Sequence, residues 1–495
     1  ATEQLVVEPG QFNGNIQGIR WQTRTEVHPG EPQYEGQQLI YMPQYDQRHR
    51  LIAADFGTID AEHIGIQNTA AIPQTGVYDG PDPLARNDYK VWGIQHDPNG
   101  NITQLSRNGN ISSGVTMDQL TLHRDGNRLV QVTDLAGATP AYGNDIEPQP
   151  LNNYAYDASG RLTSDQKEQN YLAYNSKDLT TAVYDNTGRT SADLKATYGY
   201  DEHGKRLLKK SYTAVAGGAN TLASKQYYIR DIGGTLMAII HDDVVEDAFD
   251  ATEMPVYGSG QLGFFSANDA KYRYQVTDHL GNVRATIKGE KDGQGEVELL
   301  SMQDYYPFGS EMPGRSISGS FVFQQGYQRQ PKDGETGFNA FELRLYDSRL
   351  GGWLSPDPYN QHYSPYMAMS NNPFSFFDPD GGKDTKGKNN GRRNINGIIY
   401  NADGTIHHIY VNIVTISANR PGSLSGGGQV GAGTGNIEMV SVESSSDAAI
   451  ARFNDQKMEL FEMQARQLKN GSKVPVRSAN RKLSQYLDPF MDVVG

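Results

Sequence analysis

The chain has 495 residues and a formal net charge of −14 at pH 7. This length exceeds what one small hydrophobic core needs, so we expect two or more folding units. Cysteine is absent, which excludes disulfides, cysteine-ligated metal sites and thiol catalysis. No run approaches the roughly 18 apolar residues of a membrane-spanning helix, so none is predicted.

The negative charge lies in the part of the chain before Lys383. The tail from Lys383 onward carries 14 Lys and Arg against 10 Asp and Glu. An acidic body disfavours nucleic-acid binding by that body, because phosphates carry the same charge. The chain begins with Ala1, lacks a secretory signal pattern and starts within a repeat pattern. This favours a fragment of a longer repeat protein with an N-terminal portion missing.

A short motif recurs along the body. Its clearest copies are YDASGRL at 156–162 and YDEHGKRL at 200–207. More degenerate copies begin at Tyr45, His96, Asp125, Tyr184 and Asp278. Asp at the start of a tight turn accepts backbone N–H bonds, and Gly supplies a positive φ. Because the flanking residues alternate in polarity, each copy is predicted to be a β-hairpin.

A single hairpin cannot bury its own face, so the copies must share a core. The Tyr rings are expected to pack against neighbouring repeats while each hydroxyl finds a polar partner. The spacing of the copies is irregular, which favours a continuous winding antiparallel sheet over a propeller. We therefore predict a mainly β fold, followed by a small α+β domain at the C-terminus.

The tail has its own pattern. Residues 383–397 are polar and Gly/Asn-rich, typical of a linker. Residues 398–416 predict a hairpin, and 446–469 predict a helix with an N-cap at Ser446. His407 and His408 face opposite sides of a strand, so they indicate surface or structural residues. No cofactor or metal motif is present, and neither a cofactor nor a metal site is predicted.

Two Asp-Pro pairs, at Asp357 and Asp378, bracket an aromatic stretch at the boundary between body and tail. We call 346–382 the plug segment. Its expected packing residues are Trp353, Tyr359, Tyr363, Tyr366, Phe374, Phe376 and Phe377.

The Tyr-Asp repeats resemble those of RHS/YD-repeat proteins. The stretch TDHLGNVRATI around Asp278 is similar to a late repeat of that family. The sequence from ETGFNAFELRLYDSRLGGWLSPDP to SNNPFSFFDPDGG resembles its core-associated segment, most closely in bacterial versions. The family includes polymorphic toxins, the C subunits of insecticidal Tc toxins, and teneurins. The resemblance covers roughly residues 10–382 and implies a hollow β-shell.

This gives four expected regions. They are a repeat domain at 1–345, the plug segment at 346–382, a linker at 383–397 and a variable C-terminal domain at 398–495.

The resemblance also implies chemistry. In self-cleaving members the two Asp residues of the matching Asp-Pro positions form an aspartyl-protease pair, here Asp357 and Asp378. Two adjacent carboxyl groups share a proton, so one can activate water while the other protonates the leaving group. The expected cleavage region is Gly381, Gly382 and Lys383. The sequence departs from the family at Gly352, where an Arg is common. The alternative is that both Asp-Pro pairs only shape the turns of a structural plug.

Two functions follow. In the first, the shell carries the C-terminal domain as toxin cargo released by self-cleavage. In the second, the protein is a secreted or cell-surface scaffold without enzymatic activity. Both imply a secreted or surface location, and secretion or surface-assembly partners.

Overall fold

The computed structural model describes residues 15–16, 18–21, 38–59, 89–109, 116–137, 145–243, 248–258, 260–291, 297–317, 325–386, 398–400 and 406–410.

A first sheet has nine strands. They are β1 (Ile19–Trp21), β2 (Gln38–Tyr45), β3 (Leu51–Ile59), β4 (Val91–His96), β5 (Ile102–Asn108), β6 (Thr116–Asp125), β7 (Arg128–Asp134), β27 (Ile398–Tyr400) and β28 (Ile406–Tyr410). Their order is β27-β28-β1-β2-β3-β4-β5-β6-β7. The hairpin predicted at 398–416 is confirmed for β27 and β28, which pair in antiparallel register, whereas 411–416 lie outside the described residues. β28 in turn joins β1 in parallel.

A second sheet has fourteen strands, in sequence order from β8 to β21. They are β8 (Tyr154–Tyr156), β9 (Leu162–Asp165), β10 (Asn170–Tyr174), β11 (Thr180–Tyr184), β12 (Leu194–Tyr200), β13 (Arg206–Thr213), β14 (Thr221–Arg230), β15 (Leu236–Asp243), β16 (Ala248–Tyr257), β17 (Gln261–Ser266), β18 (Lys271–Thr277), β19 (Val283–Lys291), β20 (Val297–Tyr305) and β21 (Glu311–Ile317).

Two small sheets are formed by the plug segment and the residues on either side of it. One contains β22 (Asn339–Ala340), β23 (Leu345–Asp347) and β24 (Gly352–Trp353), the other β25 (Phe376–Phe377) and β26 (Thr385–Lys386). Three single-turn 3-10 helices complete the described elements, at Ser191–Asp193, Tyr327–Arg329 and Met369–Asn371. The predicted mainly β fold with antiparallel sheets is confirmed.

The predicted turn chemistry is also confirmed. In the turn Asp157–Arg161, the Asp157 N–H donates to the Arg161 carbonyl at 3.0 Å, and Gly160 N–H donates to the Asp157 carbonyl at 3.0 Å. The Asp157 carboxylate accepts the Arg161 N–H at 2.9 Å. Gly160 has a φ of +83°, in the left-handed region. The same three bonds close the turns that start at Asp46, Asp97, Asp201, Asp231 and Asp278.

Two degenerate copies fold differently. Asp125 pairs directly with Arg128 across a two-residue hairpin turn. The copy at Asp185 opens into a longer loop that contains the 3-10 helix Ser191–Asp193, and the Asp185 N–H donates to the Asp193 carbonyl at 2.9 Å.

Tyrosine hydroxyls link successive repeats, as predicted. The Tyr174 hydroxyl donates to the Leu162 carbonyl at 2.7 Å, and the Tyr200 hydroxyl donates to the Thr180 carbonyl at 2.7 Å. Each acceptor immediately follows the turn of the preceding repeat. The ring thus remains in the core while its polar end is satisfied.

The Cα positions group into two units. One comprises Ala1–Ile229 and Ala238–Leu424, and the other Arg230–Met237 and Ser425–Gly495. In the second unit the described residues form a turn in which the Asp231 carboxylate accepts the Thr235 N–H. The predicted helix at 446–469 and the side chains of His407 and His408 lie outside the described residues. Within the described ranges, no helix combines the length and apolarity needed to span a bilayer.

Candidate active site at the end of the plug segment

The plug segment brings its two Asp-Pro pairs together through two short strands. Gly351, with a φ of +69°, turns the chain between β23 and β24. Asp357 follows β24, and its N–H donates to the Pro365 carbonyl at 2.9 Å. Asp378 directly follows β25. Asp378 is therefore placed at a strand end and Asp357 in the loop after β24, and in both places loop backbone can approach the carboxyl group.

The aromatic residues of the plug segment divide into buried and exposed sets. Trp353, Tyr366 and Phe374 are buried, and Phe376 and Phe377 are half-buried. The Trp353 ring packs edge-on against Phe341, with centroids 4.9 Å apart.

The packing expected of two tyrosines is wrong. Tyr359 is 62% exposed and Tyr363 is 89% exposed. Both lie in the loop between the Asp357 turn and the Trp353–Tyr366 backbone bond. Both rings are therefore mostly in solvent, although one edge of Tyr359 lies beside Gly382.

Polar side chains of the plug segment dock onto the turns of the repeats. The Tyr366 hydroxyl donates to the Gly160 carbonyl at 2.6 Å, and the Asn371 amide donates to the Gly100 carbonyl at 2.6 Å. The Asn372 amide donates to the His49 carbonyl at 3.0 Å. Each acceptor is the fourth residue of an Asp-initiated turn. The plug segment therefore contacts three separate repeats through one recurring backbone position.

Asp357 is buried, with 5% of its surface exposed. One carboxylate oxygen accepts the Tyr359 N–H at 2.9 Å, and the other accepts the Gln361 N–H at 2.7 Å. These two bonds hold the carboxyl group in one orientation.

Asp378 is buried more deeply, with 1% of its surface exposed. Its Oδ1 accepts the Gly381 N–H at 2.8 Å and the Gly382 N–H at 3.1 Å. Burial raises the pKa of the Asp378 carboxyl to about 6, although Arg344 and the Gly381 N–H oppose that rise. Asp378 thus exchanges its proton near neutral pH while touching the backbone of the expected cleavage region.

Arg344 joins the two carboxyl groups. Its Nη2 lies 3.8 Å from Asp357 Oδ1 and 3.6 Å from Asp378 Oδ2, which is ion-pair distance. The guanidinium stacks on the Trp353 ring, 4.2 Å from its centroid. Burial lowers the pKa of Arg344 to about 10, and the neighbouring Asp carboxylates oppose that effect. One buried cation therefore faces both candidate catalytic carboxyls.

The same guanidinium binds the carbonyls of the expected cleavage region. Arg344 Nε donates to the Gly381 carbonyl, and Nη2 lies 3.4 Å from the Gly382 carbonyl oxygen. Lys383 is exposed immediately after these glycines. The structure thus brings together Asp357, Asp378, Gly381 and Gly382, and leaves the Lys383 side chain in solvent.

Gly381 is required by its surroundings, and Gly382 lies close to the ends of two side chains. Gly381 has a φ of +83°, and a Cβ there would meet Phe341 Cβ at 2.8 Å. A Cβ on Gly382 would meet the Tyr359 ring at 2.6 Å and Leu343 at 2.8 Å. The positive φ and the close approach to Phe341 therefore make glycine necessary at position 381.

Arg344 is a candidate site residue that the sequence did not single out. The resemblance indicates an Arg at position 352, whereas the guanidinium at this site comes from a position before β23. A signal existed, because Arg344 lies two residues from Tyr346, on the same side of an extended segment, and Tyr346 is fully buried. A charged residue in register with a core aromatic indicates a buried partner.

Comparison with known proteins gives a family. The family model described as "Teneurin YD-shell" matches residues 84–377, more than half of the chain. Among curated proteins, Salivary gland surface protein 1 of Aedes aegypti is 32% identical over 192 residues, covering 37% of this chain and 5% of that protein.

Solved structures with similarity include TcdB2-TccC3 without its hypervariable C-terminal region, at 17% identity and a TM-score of 0.35, covering 70% of this chain and 18% of that chain. The Tc holotoxin pore of Photorhabdus luminescens is 15% identical with a TM-score of 0.34, covering 70% of this chain and 20% of that chain. The chain therefore spans a small part of the proteins it matches. By the match over 84–377 and the recurring Asp-initiated turns, this chain belongs to the teneurin YD-shell family of YD-repeat proteins.

Proposed function

We propose that this chain is a YD-repeat carrier that cuts its own backbone between Gly382 and Lys383 and so separates its C-terminal region. One observation carries the proposal. A single buried guanidinium, Arg344, contacts both candidate carboxyls and both carbonyls of the expected cleavage region.

The chemistry needs an acid, a base and a polarised carbonyl. The Asp357 carboxylate takes a proton from a water molecule, whose oxygen attacks the Gly382 carbonyl carbon. Asp378, whose pKa is raised to about 6, donates its proton to the departing Lys383 nitrogen as the C–N bond breaks. Arg344 stabilises the negative charge that develops on the Gly382 oxygen. The products are a Gly382 carboxylate and a Lys383 amine.

Proximity supports this reaction, since the bond to be cut is part of the turn that Asp378 itself closes. An intramolecular reaction needs no substrate binding, and orientation alone supplies a large part of its rate. The close approach around Gly381 and Gly382 holds the bond in one place.

The test is intact mass spectrometry of the full chain. We expect two fragments that divide after Gly382 in the wild type, and one uncut chain in Asp357→Asn and Asp378→Asn. Asp97→Asn is a matched control, because Asp97 also precedes a Pro and opens a turn, yet its carboxylate bonds Asn101. Cleavage that continues unchanged in Asp378→Asn, or a wild type that stays whole, overturns the proposal.

The C-terminal region at 398–495 is proposed as the cargo. We propose that it acts as a toxin effector after separation from a secreted or surface-bound carrier. Production of residues 383–495 inside bacterial cells tests this. Arrested growth supports the effector, and normal growth with stable protein argues against it.

A second candidate function is a surface scaffold that stays whole. Both carboxylates bond the backbone N–H groups of their own turns, as purely structural Asp residues do. The Aedes aegypti relative is named a surface protein. A folded wild type that remains uncut over days would favour this function, with residues 346–382 serving only to fix the repeats together.

A further inference from the structure

We propose that residues 383–386 occupy a docking site of their own on the plug segment, with Asp384 as the anchor. The tail would then stay bound after the chain is cut, and its departure would be a separate step. The retention of the tail after the cut rests on the proposed cleavage after Gly382. The docking site itself does not require cleavage.

Backbone pairing forms the first part of the site. β26 lies antiparallel to β25, with Phe377 opposite Thr385 and Phe376 opposite Lys386. β25 belongs to the plug segment, before the cleavage region, and β26 follows it. The two strands would therefore belong to different fragments after cleavage, and their pairing would hold the fragments together.

A side-chain amide forms the second part. Gln361 Nε2 donates to the Asp384 carbonyl at 3.0 Å, and the Asp384 N–H donates to Gln361 Oε1 at 3.0 Å. This two-bond ring imitates the pairing of a neighbouring strand. The backbone N–H of Gln361 also donates to Asp357. One residue thus connects the anchor to the candidate catalytic carboxylate.

The Asp384 carboxylate forms the third part. Its Oδ2 lies 3.2 Å from His362 Nε2 and accepts the Ser370 hydroxyl at 2.9 Å. Asp384 is buried, at 6% exposure, whereas Lys383, Thr385 and Lys386 are exposed. The Asp384 side chain thus points inward while the side chains on either side of it point to solvent. The site therefore recognises an extended segment by one short acidic side chain.

The contacts at position 384 fit Asp better than Asn or Glu. The carboxylate receives donors from two different elements, and these bonds are stronger with an ionised acceptor than with a neutral amide. A Glu would place its carboxylate one methylene farther along and displace it from His362 and Ser370. The anchor is therefore specific for an extended peptide with Asp at its second residue after the cut.

The experiment has two arms, both on the full chain. In the first, the uncut Asp378→Asn protein is treated briefly with trypsin, and cutting at Lys383 and Lys386 is timed. Adding Asp384→Ala should accelerate these cuts by about tenfold or more, because two charge-assisted hydrogen bonds are lost. Thr385→Ala is the matched control, since its side chain is exposed beside the anchor, and its rates should stay unchanged.

In the second arm, self-cut protein is passed over a gel-filtration column and the fragments are identified by mass. The pairing of β28 with β1 also joins the two fragments and is the same in all three proteins. We therefore expect the fragments to co-elute in the wild type and in Thr385→Ala, and a larger share of the C-terminal fragment to elute alone in Asp384→Ala. Fragments that separate in the wild type, or equal rates for Asp384→Ala and Thr385→Ala in the first arm, overturn the anchor. A wild type that is never cut overturns the proposed cleavage alone, and the first arm still decides the docking site.

Discussion

The Tyr366 hydroxyl donates a 2.6 Å hydrogen bond to the carbonyl of Gly160. Gly160 is the fourth residue of the turn Asp157–Arg161, and its carbonyl takes no part in the three bonds that close the turn. Each Asp-initiated turn thus has one carbonyl, that of its fourth residue, that the bonds closing the turn do not use. The plug segment uses three of these acceptors, so the turn motif that builds the sheet also provides the positions that hold the plug segment.

Tyr366→Phe tests this docking. Removing the hydroxyl leaves the Gly160 carbonyl without its donor, and we expect a loss of about 1–2 kcal/mol in the free energy of unfolding. Urea unfolding followed by tryptophan fluorescence measures it. Tyr363→Phe is the control, because Tyr363 is 89% exposed, and its unfolding midpoint should not move. Equal midpoints for both variants would show that the Gly160 bond contributes nothing.

Gly381→Ala tests the close approach at the cleavage region. The φ of +83° strains any residue with a Cβ, and the new atom meets Phe341 Cβ at 2.8 Å. We expect a loss of about 2–4 kcal/mol, of which the backbone conformation accounts for roughly 1 kcal/mol. Gly217→Ala isolates the backbone part, since Gly217 has a φ of +70° with nothing within 4 Å of its Cβ position. A Gly381→Ala loss no greater than that of Gly217→Ala would mean that the neighbours relax freely.

The repeat turns could be predicted because their chemistry is local. The Asp carboxylate and the N–H that it accepts are four residues apart, so both stand within one short sequence window. A copy at Asn175–Leu179 escaped notice because other residues meet the same demands. Asn175 accepts the Leu179 N–H at 3.1 Å, and Asp178 takes the left-handed position with a φ of +62°. Asn and Asp tolerate that conformation better than other non-glycine residues.

The candidate site could be predicted only in part. Asp357 and Asp378 stood out as Asp-Pro pairs, but the contact between Arg344 and Gly381 joins residues 37 positions apart. No local pattern encodes that contact, since it depends on how β23 and β25 are placed by packing. The exposure of Tyr359 is the converse case, in which a residue type that usually packs in the core is mostly exposed.

Arg344→Met tests the role of the guanidinium. Methionine retains much of the apolar volume but leaves two buried carboxyls facing each other without a cation. Removing one partner of a buried ion pair costs about 3–5 kcal/mol, so we expect a clear fall in the unfolding midpoint and loss of self-cleavage. Arg48→Met is the control, because the Arg48 side chain is exposed and donates a long bond, of 3.4 Å, to the Pro98 carbonyl. Unchanged cleavage in Arg344→Met would remove the guanidinium from the proposed mechanism.

The pH dependence of stability tests the environment of Asp378. Burial raises the pKa of its carboxyl from 3.8 to about 6, so the folded chain binds this proton more tightly than the unfolded chain. The resulting stabilisation is fully present below about pH 3.8 and is lost as the pH rises through about 6. A shift of this size corresponds to at most about 3 kcal/mol.

The measurement compares two uncut proteins. We expect the free energy of unfolding of Asp357→Asn to fall between pH 4.5 and 7.5. In the double variant that also carries Asp378→Asn, the fall should be smaller by the contribution of Asp378. Asp165, whose pKa burial also raises to about 6, contributes in the same direction in both proteins, so the difference between them isolates Asp378. Identical pH profiles for the two proteins would show that Asp378 titrates as it does in the unfolded chain, which would deprive the proposed reaction of its proton donor near neutral pH.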